Sequence, residues 1–162
     1  MATIRALEPT EWRILKDLRK KSVANAPDAF QPLDPVLAES DEYWQEITGS
    51  LASLDGDVLV AEEGNETIGM TYVRIDEQRV GHIGAMWVDP NSRGSGLGLQ
   101  LLDDSIQWHA AREVTTISLW VTEGNVAATA LYESSGFVPT GISDQLRPGA
   151  DLRIFQMELS LT

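Results

Sequence analysis

The chain has 162 residues, of which 43% are hydrophobic, and its 25 acidic and 12 basic residues give a formal net charge of −13. This size and composition fit one compact domain, residues 1–162, with a substantial buried core. The absence of cysteine excludes disulfides and thiolate sites, and with only His82 and His109 as imidazole ligands we expect no metal. The acidic balance opposes nucleic acid as a partner. It favours cationic small molecules or basic peptide ends, unless it serves solubility alone.

Nothing in the sequence indicates insertion into a membrane or export. No apolar run approaches the roughly 20 residues that a membrane-spanning helix needs. The first residues lack the basic and apolar sections of a secretory signal. We therefore expect a cytoplasmic protein with no membrane partner.

The first half of the chain predicts two helices followed by an antiparallel meander. A short strand over residues 3–7 precedes an amphipathic helix, whose buried positions recur at helical spacing: Ile14, Leu15, Leu18 and Ser22. Residues 24–35 contain three prolines and predict a loop, and a second helix begins near Asp41. Three strands follow at residues 57–62, 66–75 and 80–88, with turns at 64–65 and 76–78.

After Gly96 the hydrophobic period changes to that of a helix. Its predicted buried stripe recurs every three or four residues: Leu99, Leu102, Ile106 and Ala110. A strand over 115–121, a helix over 125–135 ended by Gly136, and strands over 137–141 and 152–159 complete the chain. This order predicts a mixed α/β (α+β) protein.

A glycine-rich turn lies between the third meander strand and the following helix: Arg93-Gly94-Ser95-Gly96-Leu97-Gly98. The first turn of a helix has unpaired backbone N–H groups and a partial positive charge, so it can hold a phosphate or a diphosphate. Glycine leaves room for the ligand, and Arg93 can add a charge-assisted hydrogen bond. Taken alone, the turn is equally consistent with a loop that binds nothing.

The glycine spacing disfavours two common nucleotide sites. A Walker P-loop ends in Gly-Lys-Ser/Thr, which this turn lacks. The dinucleotide fingerprint has its second and third glycines three residues apart, whereas Gly96 and Gly98 are two apart. A flavin or dinucleotide oxidoreductase is therefore disfavoured.

The last helix carries a second polar pattern. Asn125, Ala128 and Tyr132 are separated by three and then four residues, so they share one helix face. An amide, a small residue and a phenol are unusual in a core stripe. Asn125 also suits a helix N-cap, which is compatible with ligand contact. For Tyr132 the alternative is a buried aromatic with a bonded hydroxyl.

Together the two segments resemble the GNAT superfamily of N-acetyltransferases. Arg93, Gly96 and Gly98 match its Arg/Gln-x-x-Gly-x-Gly/Ala turn. The last helix matches its Asn-x-x-Ala-x-x-x-Tyr pattern followed by Gly-Phe: Asn125, Ala128, Leu131, Tyr132, Gly136 and Phe137. The resemblance implies the GNAT fold, a central, mostly antiparallel, twisted sheet of about six to seven strands, splayed in the middle and flanked by four helices.

The resemblance also implies a site for acetyl-CoA. The coenzyme would contact the third meander strand, the turn and the last helix: Met86, Trp87, Val88, Arg93, Gly94, Ser95, Gly96, Leu97, Gly98, Asn125 and Ala128. Tyr132 would be the general acid for the departing thiolate, because a phenol with a pKa of about 10 is protonated at neutral pH. His82 lies eleven residues before Arg93, where many members have a glutamate base. His82 is one candidate for that base. Alternatively, His82 is only an exposed strand residue, and a chain of waters takes the proton instead of a single base.

The implied reaction moves an acetyl group from acetyl-CoA to a primary amine by direct attack in a ternary complex. The expected acceptor is a small cationic amine, a polyamine, an aminoglycoside or a protein N-terminus. Phe30, Tyr43 and Trp44 are candidates for its pocket, although such aromatics are also typical of cores and dimer contacts. A homodimer is compatible with the family. The alternative function is an acyl-CoA-binding sensor or partner-binding module with this fold and no turnover.

Overall fold

The computed structural model describes residues 2–25, 38–51 and 55–161. Its elements in chain order are β1 (Thr3–Ala6), α1 (Trp12–Asn25), α2 (Asp41–Ser50), β2 (Gly56–Glu63), β3 (Glu66–Ile75), β4 (Gly81–Val88), a 3₁₀ turn (Pro90–Ser92), α3 (Leu97–Ala110), β5 (Thr116–Thr122), α4 (Val126–Ser134), β6 (Val138–Gln145) and β7 (Arg153–Ser160). The predicted order is confirmed, and β6 continues past its predicted end at residue 141. None of these helices is long and apolar enough to cross a membrane.

Seven strands form one sheet in the order β1-β2-β3-β4-β5-β7-β6. All neighbours are antiparallel except β4 and β5, which are parallel. These two strands pair only at Gly81 with Ile117 and at His82 with Ser118. Beyond that point they part, and we call the gap between residues 83–88 and 119–122 the β4–β5 fork. The fork confirms the expected sheet that is splayed in its middle.

A β-bulge in β4 lies beside the β4–β5 fork. Met70 of β3 pairs with Trp87, but Tyr72 pairs with Gly84, so β4 has one residue more than β3 over this stretch. Ala85 within the bulge has a φ of +50°, which is uncommon for a residue other than glycine. Bulges bend the strand that carries them, and this bend accompanies the departure of β4 from β5.

Different helices cover the two faces of the sheet. On the α1–α2 face the buried core is formed by Leu7, Leu15, Leu18, Val23, Trp44, Val58, Val60, Met70 and Trp87. The α3–α4 core on the other face includes Val73, Ile83, Leu102, Ile117, Leu119, Tyr132, Phe137 and Met157. Because side chains alternate along a strand, His82 and Ser118 point to the α1–α2 face, opposite to the neighbouring Ile83 and Ile117.

The buried face of α3 differs from the predicted stripe. Leu102 is buried, but Leu99 is 42% exposed and lies on the outer side. The side chains buried against the sheet are Leu97, Leu101, Leu102, Ser105 and His109. Gly81 makes room for His109, since a Cβ at Gly81 would lie 2.3 Å from His109 Cδ2. The leucine pattern alone placed the stripe wrongly because two of the buried residues are polar.

Candidate active site

The glycine-rich turn leads into an open helix N-terminus. Gly94 and Gly96 have φ angles of +83° and +85°, a left-handed conformation that suits glycine. A Cβ added at either position would have no atom within 4 Å, so the space above the turn is open. Gly96 is the N-cap residue of α3 and makes no side-chain cap hydrogen bond. The first backbone N–H groups of α3 are therefore accessible to an anion.

The side chains of the turn fix it to its surroundings. Arg93 Nε donates to the Val88 carbonyl oxygen at 3.0 Å, which ties the turn to the end of β4 while the residue stays exposed. Ser95 Oγ donates to the Ser92 carbonyl oxygen at 2.7 Å. Leu97 is 4% exposed and packs into the core beneath α3. Only the backbone of Leu97 can face a ligand above the turn.

The edge of β4 offers backbone hydrogen bonds to the β4–β5 fork. The Asp89 N–H donates to the Ile68 carbonyl oxygen of β3 at 2.8 Å. Successive N–H groups along a strand point to alternate sides, so those of Met86 and Val88 point away from β3 and into the fork. Trp87 is 5% exposed within the core of the α1–α2 face, so its side chain cannot reach a ligand there. An extended ligand can pair with β4 as an added strand.

Asn125 is the N-cap residue of α4. Its Oδ1 accepts a hydrogen bond from the Ala128 N–H at 3.1 Å. Ala128 itself is half-buried against the α3–α4 core. Because the cap uses only the oxygen of an exposed side chain, the amide N–H groups of Asn125 stay available to a ligand.

Tyr132 extends from α4 into the α3–α4 core. The residue is 8% exposed, and its ring lies against Phe137 with 6.0 Å between ring centroids. Among the described residues, none forms a hydrogen bond to its hydroxyl. Burial raises the pKa of the phenol to about 12, so the hydroxyl stays protonated at neutral pH.

His82 lies at the closed end of the fork, on the opposite face of the sheet. Its Nε2 is 2.8 Å from Asp76 Oδ2, and the side chains of both residues are 25% exposed. Ser118, its partner on β5, is 2% exposed and its Oγ has no hydrogen-bond partner within the described ranges. The hydrogen bond from His82 is the main reason why the pKa of the Asp76 carboxyl is lowered.

The aromatic residues expected to line the pocket of the acceptor amine lie in different surroundings. Trp44 is 3% exposed in the core of the α1–α2 face, which favours its role in packing over one in a pocket. Tyr43 is half-buried and packs edge-on against Trp44, with 5.1 Å between ring centroids. Phe30 lies outside the described residues.

Positive charge is concentrated in α1, although the chain as a whole is acidic. This helix contains all three lysines of the chain and two of its arginines: Arg13, Lys16, Arg19, Lys20 and Lys21. Lys16 Nζ lies 2.5 Å from Asp41 Oδ1 of α2. The Arg19 guanidinium carbon lies 5.6 Å from the centroid of the Tyr72 ring, which shares the sheet face of His82. Against these five basic residues α1 and α2 carry four acidic ones, Asp17, Asp41, Glu42 and Glu46, so their charges nearly balance.

Sequence reasoning missed Asp76 and Ser118. Asp76 belongs to the predicted turn between β3 and β4, where its Oδ1 accepts the N–H groups of Gln78 and Val80. Ser118 stands between Ile117 and Leu119, a position that the alternation of a strand assigns to solvent. The turn between β3 and β4 brings Asp76 to His82, and the pairing of β4 with β5 brings Ser118 there.

Comparisons with known proteins agree with this geometry. Residues 16–137 match the Acetyltransferase (GNAT) family. A mycothiol acetyltransferase from Salinispora tropica is 30% identical over 126 residues, which cover 74% of this chain and 39% of that protein. The chain thus spans less than half the length of this relative.

Solved structures share the fold over the whole chain. The acetyltransferase of the GNAT family from Streptococcus pneumoniae superposes with a TM-score of 0.86 at 22% identity, covering 100% of both chains. A Salmonella typhimurium protein solved with its cofactor acetyl-CoA gives a TM-score of 0.81 at 19% identity, covering 100% of this chain and 95% of its own. Since the family match spans most of the sequence and the sheet has the same architecture, this chain belongs to the acetyltransferase (GNAT) family.

Proposed function

We propose that this protein transfers the acetyl group of acetyl-CoA to a primary amine by direct attack in a ternary complex. The observation that carries the proposal is the β4–β5 fork. The N–H groups of Met86 and Val88 point into it, and β4 leads through the glycine-rich turn to the open N-terminus of α3. Tyr132 packs in the core of one face with Ile83 and Leu119, which flank the fork. Family membership and the acetyl-CoA complex of the Salmonella typhimurium neighbour support the same substrate.

Acetyl-CoA matches these groups along its length. Its diphosphate suits the first N–H groups of α3, at Leu97 and Gly98, with Arg93 as a charged neighbour. Its pantetheine amides suit the N–H groups of β4, and the exposed Asn125 amide suits a pantetheine carbonyl. Each contact uses a polar group that is open in the described part of the chain.

The chemistry needs a neutral amine, a polarised carbonyl and a protonated leaving group. The amine lone pair forms a bond to the acetyl carbon, the carbon–sulfur bond breaks, and its electron pair leaves on sulfur. The acceptor ammonium first loses one proton to His82 or to water. Tyr132 supplies the proton that sulfur takes, and the second proton, which nitrogen loses after the attack, passes through water to the Tyr132 phenolate. An N–H group of Met86 or Val88 stabilises the developing oxyanion, an effect worth about 3–4 kcal/mol in comparable sites.

The acceptor in this proposal is a small amine or a peptide N-terminus that enters over the α1–α2 face. Mycothiol acetyltransferase, the name of the Salinispora tropica relative, fits a small amine. Lys16 and Lys21 of α1 are paired with Asp41 and Asp17, so the charge of α1 does not select among a small cationic amine, a polyamine and an aminoglycoside.

Thiol release from acetyl-CoA tests the proposal. The panel contains small amines, amino sugars, cysteinyl amines and peptides with free N-termini. We expect release that depends on the amine and saturates with it. Saturable binding of acetyl-CoA without amine-dependent release across the panel would instead favour an acyl-CoA-binding sensor or partner-binding module.

A further inference from the structure

Asp76 contacts His82, and the role inferred for this contact rests on the proposed function. We propose that Asp76 is a positioning residue for His82. Its carboxylate fixes the imidazole as the tautomer with a proton on Nε2, which makes Nδ1 the atom that takes the proton of the acceptor amine at the β4–β5 fork.

The Asp76 carboxylate is itself held in place. Oδ1 accepts the backbone N–H groups of Gln78 and Val80 at 2.9 and 3.0 Å, and Oδ2 lies 2.8 Å from His82 Nε2. The pKa of this carboxyl is lowered, mainly by the hydrogen bond from His82, so it is ionised at neutral pH. An ionised carboxylate only accepts hydrogen bonds, and the short contact therefore requires the proton on Nε2. Neutral imidazole then has its lone pair on Nδ1.

Ser118 adds an independent observation at the same place. It pairs with His82 across the last hydrogen-bonded position of β4 and β5, and the two side chains share the α1–α2 face. Its hydroxyl is buried without a hydrogen-bond partner among the described residues, which is rare in folded proteins. His82 Nδ1 likewise has none there. Two unpartnered polar atoms on adjacent strands suit one further group between them, such as an amine or a water.

Other charged groups surround the imidazole without competing for it. Arg74 of β3 pairs with His82 in the sheet, and Glu158 of β7 pairs with Ser118. His109 lies on the opposite face, against Gly81. Within the described ranges only Asp76 forms a hydrogen bond to His82. The tautomer is therefore set by Asp76.

The proton transfer balances within these residues. An acceptor ammonium gives one proton to His82 Nδ1, which leaves a neutral amine with a lone pair for attack on the acetyl carbon. His82 becomes an imidazolium, and its positive charge lies beside the Asp76 carboxylate. The side chain is 25% exposed, so the proton can pass on to solvent and the neutral tautomer is restored.

Nuclear magnetic resonance of protein labelled with ¹⁵N-histidine reads the tautomer directly and without turnover. The chain has only two histidines, and the His82→Gln variant identifies which signals belong to His82. At a pH where the imidazole is neutral, we expect His82 Nε2 to be protonated and Nδ1 to be unprotonated. In Asp76→Asn, the amide oxygen can still accept the Gln78 and Val80 N–H groups. The amide NH2 then faces Nε2 as a donor, so we expect the imidazole proton to move to Nδ1.

Kinetics test whether the tautomer matters. We expect Asp76→Asn to lower kcat/KM about 10-fold to 100-fold while Kd for acetyl-CoA is unchanged. The loss is smaller than the roughly 100-fold to 10,000-fold contribution of a general base, because His82 itself is retained. The double variant Asp76→Asn with His82→Gln should be no slower than His82→Gln alone, because Asp76 acts through His82. Asp57→Asn is the matched control. Asp57 Oδ2 also accepts a hydrogen bond from a ring N–H, that of Trp108 at 3.2 Å, but this contact lies away from the fork.

The outcomes separate this inference from the proposed function. A wild-type His82 with its proton on Nδ1, or a tautomer unchanged in Asp76→Asn, overturns the inference even if the enzyme is active. Additive losses in the double variant also overturn it. If no amine is acetylated, the proposed function fails, and the tautomer measurement still decides the role of Asp76.

Discussion

Tyr132 and His82 lie on opposite faces of the sheet, and Tyr132 packs in one core with Ile83 and Leu119, which flank the β4–β5 fork. Tyr132 packs in the α3–α4 core, whereas His82 faces the side of α1 and α2. A group that contacts both side chains must therefore lie in the fork itself. In the proposed reaction, the proton donor and the proton acceptor therefore lie on the two sides of the acetyl carbon.

The Tyr132→Phe variant tests the proton donor. We expect kcat to fall about 100-fold, as for loss of a general acid, with Kd for acetyl-CoA nearly unchanged. Stability should be kept, since no hydrogen bond to a described residue is removed. Tyr72→Phe is the control, because burial also raises the pKa of Tyr72 to about 12. Equal kcat values for Tyr132→Phe and the wild type would remove Tyr132 as the acid.

Gly96→Ala tests the proposed phosphate contact of the glycine-rich turn. A Cβ at Gly96 meets no protein atom, so it would occupy the space of the ligand, and we expect Kd for acetyl-CoA to rise about tenfold, or about 1.4 kcal/mol. Gly64→Ala is a matched control, since Gly64 also has a positive φ, of +64°, and open space. Both variants should lose about 1 kcal/mol of stability to backbone strain. Equal Kd values in the two variants would contradict a ligand at the turn.

Ser118→Ala tests the unpartnered hydroxyl at the fork. Removing a buried hydroxyl without a partner should leave the free energy of unfolding unchanged or slightly higher. We expect KM for the acceptor amine to rise while Kd for acetyl-CoA stays constant. Thr48→Val is the control, because it removes a buried hydroxyl of α2 that also has no partner among the described residues. This variant should change neither KM for the amine nor Kd for acetyl-CoA. An unchanged KM in Ser118→Ala would place this hydroxyl outside the acceptor site.

Gly81→Ala tests the packing of α3 on the sheet. The new Cβ would lie 2.3 Å from His109 Cδ2, so we expect a loss of about 1–3 kcal/mol, measured by denaturant unfolding. Gly84→Ala on the same strand is the control, because a Cβ there meets nothing within 4 Å. If the two variants are equally stable, His109 does not pack on Gly81 as described.

The buried His109 predicts a pH dependence of stability. Burial lowers the pKa of His109 below its usual value of about 6.5, so the unfolded chain binds a proton more readily than the folded protein. The free energy of unfolding should therefore fall as the pH drops below about 6.5, by at most about 1.4 kcal/mol per pH unit. Carboxylates with a lowered pKa, such as Glu11, lose their contribution only near pH ~4 and below. In His109→Gln the free energy of unfolding should no longer depend on pH between about pH 6.5 and 5. If the dependence remains in this variant, it arises from other titratable groups.

The order of helices and strands was predictable because hydrophobic periodicity is a local property of the sequence. The turn before α3 and the spacing of Asn125 and Tyr132 were equally local. The extent of β6 was not, since its exposed residues, such as Ile142, give no alternating pattern. Its length depends on pairing with β7.

The candidate base and its surroundings depend on contacts between distant segments. Nothing local reveals that Ser118 pairs with His82, because their strands are joined through α3 and pair at only two positions. The contact of Asp76 with His82 depends on the geometry of the turn that joins β3 and β4. Similarly, the sequence shows that Trp44 is aromatic but does not show whether it lines a pocket or packs in the core.

The structure of the complex with acetyl-CoA tests the central claim most directly. We expect the diphosphate at the N-terminus of α3, the pantetheine along Met86 and Val88, and the thioester carbon in the β4–β5 fork between the Tyr132 hydroxyl and His82. A coenzyme bound outside the fork, or a thioester that contacts neither side chain, would contradict the account.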